Sequence, residues 1–278
     1  MGFCSCQREV DGIIQTRTQA DSTYLLKIYS LDTTLPAGSD TIEKSFFQYD
    51  SQKRLARFYF YVVGSIDTFI HEYRYSGNDT LPYLEIQKSV NSGGPGTYYY
   101  DSAFYFYNNG LVSKDSIINW EYPGPVNHGV VVSAYTSAGG TVTRRDRYYD
   151  LVAGSYVLSS IDSGKFTIAY TGGNMTGQVL TDGTGYYDFV QATYDNKPNP
   201  LNKIFKTRYP NFEGYFLDNW GIQLTNFTQV QWVSGFNPPV TETSSYRYRA
   251  DGYPTSVSYF DSGGSSGYNK LLFFYTSL

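Results

Sequence analysis

The quartet Phe-Tyr-Phe-Tyr occurs twice in this 278-residue chain, at residues 58–61 and again at residues 104–107. Successive side chains of a β-strand point to opposite faces, so each quartet places its Phe pair on one face and its Tyr pair on the other. Phe favours a dry core, whereas Tyr can bury its ring and keep its hydroxyl at water or at a polar partner. We therefore predict a sheet with one dry face that buries all four phenylalanines and one half-solvated tyrosine face.

Both quartets belong to strand–turn–strand units that recur along the chain. Examples are "FFQYDSQKRLARF" from Phe46 and "SYRYRADGYPTSVSYF" from Ser245. Asn109-Gly110 and Asp251-Gly252 are tight-turn dipeptides, because these residues tolerate a positive φ. Aromatic residues form 18% of the chain and charged residues only 17%, which favours β structure with frequent turns. The predicted fold is all-β, a large twisted antiparallel sheet of consecutive hairpins.

One stretch departs from this pattern, from residue 196 to residue 224. Its three prolines exclude continuous strand pairing, and a proline is tolerated in the first turn of a helix. We predict one short helical or irregular excursion near 196–224. At the two ends of the sheet, Tyr24, Leu26 and Ile28 alternate in a first strand, and "KLLFFYTSL" is expected to pair with "TSVSYF".

The only two cysteines, Cys4 and Cys6, stand together at the start of the sequence. A disulfide between residues so close would be strained, and a metal site needs more ligands than this pair supplies. The pattern resembles the junction of a bacterial lipoprotein, with the lipid on Cys6. No basic start or apolar segment precedes it, which we interpret as a signal peptide already removed. We expect residues 1–20 to be a tether and residues 21–278 to be a single all-β repeat-hairpin domain.

The order of the repeated units gives a family resemblance. Residues 47–55 resemble the YD repeat of RHS-type proteins, and the segments "YTGGNMTGQV", "TYDNKPNPL" and "YRYRADGYPTSVSYF" follow in order. From Phe46 to Tyr275 the chain is similar to an uncharacterised family of secreted bacterial lipoproteins with degenerate YD-like repeats. The resemblance implies successive β-hairpins and no catalytic residue. It also implies an outer-membrane-anchored lipoprotein of the cell envelope, either periplasmic or surface-exposed.

Residues that could carry catalysis have simpler structural explanations. His71 and His128 are expected to be surface or edge histidines, since no G-x-S-x-G motif is present to supply a nucleophile. Asp50, Asp195 and Asp251 follow strands and are expected to accept hydrogen bonds in turns. The remaining carboxylates that could form a hydrolase pair are Asp146 with Asp150, Glu121, Glu213 and Asp218. No metal-binding or cofactor motif is present, so we expect no metal and no cofactor.

These features favour a non-catalytic cell-envelope protein, a scaffold or binding module that uses an aromatic β surface for a glycan or a protein partner. Tyrosine and tryptophan suit such a surface, because they bring contact area at low entropic cost. The alternative is an envelope polysaccharide hydrolase with a carboxylate pair. The net charge of −4 and the absence of a basic cluster argue against a nucleic-acid partner, and we expect a monomer held to the membrane only by its lipid. The candidate ligand-binding residues are Tyr59, Tyr61, Tyr105, Tyr107, Trp120, Trp220 and Trp232.

Overall fold

The computed structural model describes residues 23–35, 41–90, 98–108, 111–122, 129–138, 141–161, 165–172, 174–181, 187–202, 225–234, 240–261 and 269–277. These residues form one 17-stranded sheet in which every pair of neighbouring strands is antiparallel, as predicted. The strands are β1 (Thr23–Asp32), β2 (Thr41–Tyr49), β3 (Leu55–Val62), β4 (Thr68–Tyr75), β5 (Pro82–Val90), β6 (Tyr98–Asn108), β7 (Leu111–Tyr122), β8 (Val130–Ala138), β9 (Thr141–Val152), β10 (Ser155–Ile161), β11 (Lys165–Thr171), β12 (Asn174–Thr181), β13 (Tyr187–Pro198), β14 (Thr225–Ser234), β15 (Val240–Tyr248), β16 (Pro254–Asp261) and β17 (Asn269–Ser277).

Most strands pair with the strands that precede and follow them in the chain. The predicted pairing of β17 with β16 is confirmed, and β17 also pairs with β1, from Ser277 opposite Thr23 to Asn269 opposite Asp32. On one edge of β9, β10 pairs with residues 147–152 and β11 with residues 141–144. Followed from neighbour to neighbour, the pairings lead from β1 to β9, cross to β11, continue to β17 and return to β1.

The two faces of the sheet differ in burial. We call the face that carries the buried side chains the inner face and the opposite one the outer face. On the inner face, the rings of Phe47 and Phe58 stack with centroids 5.0 Å apart, and those of Phe60 and Phe69 stack at 4.7 Å. The core also contains Leu25, Ile28, Leu55, Tyr73, Ala192, Leu201, Phe227, Val257, Leu271 and Phe273.

The predicted division of Phe and Tyr holds for the first quartet and is wrong for the second. Phe58 and Phe60 are 3% and 5% exposed, and the tyrosines between and after them are partly exposed. In β6, Phe106 is instead 49% exposed and Phe104 is only partly buried. Ala103 pairs with Glu85, whose side chain lies on the inner face. Because side chains alternate along a strand, Tyr105, two residues after Ala103, also lies on the inner face. The register, rather than the residue type, decides which ring is buried.

A bulge overturns the expected alternation in β1. Leu25 and Ile28 are buried, whereas Leu26 is 42% exposed. The register of β1 against β17 shifts between Leu25 and Lys27, so one extra residue separates the two inward positions. Leu26 therefore does not share the face of Ile28.

Tyrosine hydroxyls tie neighbouring strands together at recurring positions. In each case a tyrosine near the end of one strand donates to a backbone carbonyl near the start of the preceding strand. The distances are 2.5–2.8 Å, and the four donor–acceptor pairs are Tyr49 to Leu25, Tyr75 to Leu55, Tyr107 to Pro82 and Tyr275 to Pro254. Such a bond gives a buried ring a polar partner, and it accounts for a tyrosine that recurs at the ends of the repeated aromatic strands.

The predicted turn aspartates act as expected. Asp50 Oδ1 accepts hydrogen bonds from the backbone N–H groups of Gln52 and Arg54, both at 2.9 Å. Arg54 Nε donates to Asp50 Oδ2 at 2.7 Å, and its guanidinium lies 4.3 Å from the ring centroid of Tyr75. Asp251 Oδ1 likewise accepts a hydrogen bond from the backbone N–H of Tyr253. Gly252, between these two residues, has the positive φ of +89° that the turn requires.

Asp195 also accepts from the N–H two residues on, that of Lys197, although it lies within β13. Its carboxylate additionally accepts hydrogen bonds from Asn226 and from the Tyr248 hydroxyl. The predicted excursion begins later than expected, because β13 continues to Pro198. Leu201 follows and is fully buried in the core, while residues 203–224 lie outside the described part of the chain.

The end of β9 and all of β10 form an exposed two-stranded ribbon. Every residue of β10 is exposed, including Tyr156, Val157, Leu158 and Ile161. Within the described residues β10 pairs only with β9, so its second edge has no strand partner there. A two-stranded ribbon has little stability of its own, and this one depends on the continuation of β9 into the main sheet.

The two quartets supply a matched pair of substitutions. Phe58→Ala removes a fully buried ring and should lower the free energy of unfolding by about 3–5 kcal/mol. Phe106→Ala removes an exposed ring and should cost roughly 1 kcal/mol or less. Urea denaturation of both variants measures this difference, and equal losses would contradict the assignment of faces.

Candidate functional site

Two of the predicted ligand-binding tyrosines, Tyr59 and Tyr61, lie on the outer face and are partly exposed. Both stack on Phe46 of the neighbouring strand, with ring centroids 5.0 and 6.1 Å apart and interplanar angles of 13° and 17°. Tyr29 continues the group on β1, 6.5 Å from Phe46 and 5.1 Å from Phe274 on β17. We call Tyr29, Phe46, Tyr59, Tyr61 and Phe274 the outer patch, which extends across four neighbouring strands.

Cationic side chains lie over the rings of the outer patch. Lys27 Nζ is 4.8 Å from the ring centroid of Tyr29 and 4.6 Å from that of Phe274, and it donates to the Tyr29 hydroxyl oxygen at 3.1 Å. Lys44 Nζ lies 5.4 Å from the Tyr29 centroid. An ammonium group over an aromatic face is attracted by the negative charge of that face. The outer patch therefore combines partly accessible aromatic rings with localised positive charge.

The other two predicted tyrosines lie on the inner face and have structural partners. The Tyr105 hydroxyl donates to Glu85 Oε2 at 2.5 Å, and the Tyr107 hydroxyl donates to the carbonyl of Pro82. They do not join Tyr59 and Tyr61 in one surface. The side chains of Trp120 and Trp232, and all of Trp220, lie outside the described residues, as does Cys6.

His71 is a buried residue rather than the surface or edge histidine that we predicted. It is 5% exposed, and its Nδ1 lies 2.9 Å from Oε1 of Glu85, which is itself 0% exposed. Alternation places His71 on the inner face beside Phe58, to which it is also paired across β3 and β4. A buried carboxylate requires such partners, and Glu85 has two in His71 and Tyr105. His128 lies outside the described residues.

A second polar group continues on the inner face of β7, β8 and β9. The Tyr135 hydroxyl donates to Asp115 Oδ2 at 2.6 Å, and Arg144 Nε donates to Asp146 Oδ1 at 2.8 Å. Burial raises the pKa of the Asp115 carboxyl, against the opposing effects of the Tyr135 hydrogen bond and the Arg144 charge. Burial also raises the pKa of Tyr135, well above its usual value. The Tyr135 hydrogen bond links β8 to β7, and the Arg144–Asp146 ion pair lies within the neighbouring strand β9.

The carboxylates proposed for a hydrolase are not brought into one open cleft among the described residues. Asp146 is buried against Arg144, whereas Asp150 is exposed further along β9. The side chain of Glu121, and all of Glu213 and Asp218, lie outside the described residues. Within the same described ranges, no group of three or more His, Cys, Asp or Glu side chains is placed to hold a metal ion.

Sequence reasoning identified Tyr59 and Tyr61 but missed Tyr29, Phe46 and Phe274. Phe46 lies opposite Tyr59 in the β2–β3 hairpin, whereas Tyr29 and Phe274 join the patch through the pairing of β1 with β2 and with β17. The missing signal was the strand order, which the local pattern does not contain. The Lys27 and Lys44 positions depend on the same order.

No α-helix in the described part of the chain has the length and hydrophobicity of a transmembrane segment. No protein-family model matches the chain, and no curated protein matches it. Its fold is similar to that of a porin-like protein from Bacteroides vulgatus, with a TM-score of 0.53, 12% identity, and coverage of 92% of this chain and 100% of that one. A porin-like protein from Bacteroides uniformis has a TM-score of 0.47 and 13% identity, over 91% and 96% of the two chains. At these identities the likeness concerns the fold alone.

The raised pKa of Asp115 gives a test of the inner polar group. The pKa of an Asp carboxyl in the unfolded chain is about 3.9. When the pKa in the folded protein lies above that value, the free energy of unfolding falls as the pH rises from the unfolded pKa through the folded pKa. Asp115→Asn keeps an oxygen that can accept from Tyr135 and does not titrate. The stability of this variant relative to the natural protein should therefore increase between pH 4 and pH 8, as measured by urea denaturation. Asp150→Asn, at an exposed position, is the control, and a relative stability of the Asp115 variant that does not change with pH would contradict the assignment.

Proposed function

We propose that the protein is a non-catalytic binding or scaffold protein of the bacterial cell envelope, with the outer patch as its contact surface for a glycan or another surface protein. The observation that carries this proposal is the stacking of Phe46, Tyr59 and Tyr61 on the face opposite the core. These rings are partly buried and keep part of their surface accessible to solvent. An accessible aromatic surface on the face opposite the core is typical of a contact site for a partner.

The composition of the outer face supports contact with water and a ligand rather than with lipid. Glu72 on this face forms ion pairs with Lys88 at 3.2 Å and with Arg74 at 3.6 Å. Arg57, opposite Glu72 in the register, lies 5.2 Å from the Tyr59 ring centroid. Placing Arg or Lys on a lipid-facing sheet surface costs roughly 2–4 kcal/mol each at the middle of a bilayer. We therefore infer that the sheet itself is not embedded in a membrane.

An envelope location is supported by two independent observations. One solved structure with a similar fold is described as a porin-like protein from Bacteroides, which is a reason to expect an envelope protein. The isolated Cys-Ser-Cys segment at residues 4–6 of an otherwise cysteine-free chain resembles a lipid attachment site, with the lipid on Cys6. In this proposal a lipid on Cys6 holds the protein at the outer membrane, and the sheet stands away from the bilayer.

Substitution on the outer patch tests the binding role. The double variant Tyr59→Ser, Tyr61→Ser removes two stacked rings and should lose binding on a glycan array or in a pull-down from envelope extracts. Tyr83→Ser, Tyr156→Ser removes two exposed rings from other strands and should bind like the natural protein. Binding that survives in the Tyr59 and Tyr61 variant would exclude the outer patch.

Mass spectrometry tests the proposed anchor. Protein extracted from the native membrane should carry acyl groups on Cys6, and the Cys6→Ser variant should leave the membrane fraction. A free Cys6 thiol in the membrane-extracted protein would exclude lipid attachment at this residue.

A further inference from the structure

The lysines of the outer patch are placed by register among its rings. Lys27 pairs with Phe274 on one side and with Phe46 on the other, and Lys44 pairs with Tyr29 and Tyr61. Residues paired in this way share a face, so each ammonium group lies within the outer patch. The rings surround the two lysines on neighbouring strands.

The charge of these lysines is not neutralised by the described residues around them. No ion pair joins Lys27 or Lys44 to a described carboxylate, and the contacts of both ammonium groups are with rings and with a tyrosine hydroxyl. Arg57 adds a third cation beside Tyr59. The described outer-face positions of β17, β1, β2 and β3 contain no Asp or Glu. Glu72, on the next strand, is already paired with Lys88 and Arg74.

The local charge is opposite in sign to that of the whole chain. The protein carries a net charge of −4, so its overall field repels anions at long range. An anionic ligand would therefore be attracted by the outer patch specifically. Neighbouring strands lie about 4.8 Å apart, which makes the patch on the order of 15 Å wide across β17, β1, β2 and β3. This width suits an extended chain better than a single small anion.

We propose that the outer patch binds an anionic glycan, a polysaccharide that bears carboxylate or sulfate groups. The apolar faces of its sugar rings pack against the solvent-accessible edges of the stacked Phe46, Tyr59 and Tyr61 rings, and its anionic groups accept hydrogen bonds from Lys27 and Lys44. This inference rests on the proposed function, because it assigns a ligand class to the same surface. Charge complementarity favours this ligand over a neutral glycan, and the rings favour it over a simple anion.

Dextran sulfate and dextran test the inference, since they share a backbone and differ in charge. Binding of the full chain is measured by isothermal calorimetry at low salt and at 0.5 M salt. Dextran sulfate should bind, with an affinity that falls as salt screens the charges. The variant Lys27→Gln, Lys44→Gln should bind about tenfold more weakly or worse, because two charge-assisted hydrogen bonds are lost.

The control is Lys53→Gln, Lys197→Gln, which changes the net charge equally at exposed positions outside the patch. It should bind like the natural protein, and both variants should give the same circular dichroism spectrum. Equal weakening in the two variants, or equal binding of dextran and dextran sulfate, would overturn the anionic-glycan inference and leave the proposed binding function standing. Binding of neither polysaccharide, with binding to anionic phosphatidylglycerol vesicles instead, would assign the patch to a membrane and overturn both.

Discussion

The backbone hydrogen-bond ladder between β1 and β17 is the interaction on which the rest of the sheet depends. A strand leaves a row of N–H and C=O groups on each edge, and an unpaired edge invites association with another chain. Here the first strand satisfies one edge with β2 and the other with β17. The same arrangement extends the outer patch, because Tyr29 would otherwise have no Phe274 beside it. The pairing of β1 with β17 thus both stabilises the sheet and places Phe274 in the outer patch.

Charged side chains are stabilised differently on the two faces of the sheet. The inner face mixes rings with carboxylates, so every buried charge there needs a partner, as Glu85 has in His71 and Tyr105. On the outer face charges keep access to water, and Lys27 rests on rings without requiring a carboxylate. Among the described residues no carboxylate forms an ion pair with Lys27, so its charge is offset there only by the aromatic rings and the Tyr29 hydroxyl. This difference in electrostatic demand separates structural polar groups from candidate functional ones.

Much of the architecture could be predicted from local pattern, because alternation and turn chemistry are properties of a few consecutive residues. Phe58, Asp50 and Gly252 were all placed correctly on that basis. The face of the second quartet could not be predicted, since it follows from the pairing of Ala103 with Glu85. His71 illustrates the same limit, because its burial depends on a carboxylate fourteen residues away. Two of the five residues of the outer patch, Tyr59 and Tyr61, were predicted from the local alternation, whereas Phe46 and the contributions of β1 and β17 were not.

The β1–β17 pairing also determines when folding can finish. Strand β1 is synthesised before β17, its second partner, and fifteen other described strands separate the two along the chain. Until β17 has been synthesised, the edge of β1 that it pairs with has no hydrogen-bond partner from this strand. Contacts between distant parts of a chain are slow to form and leave intermediates prone to aggregation. The β1–β17 pairing can therefore form only after the hairpins between these two strands have been synthesised.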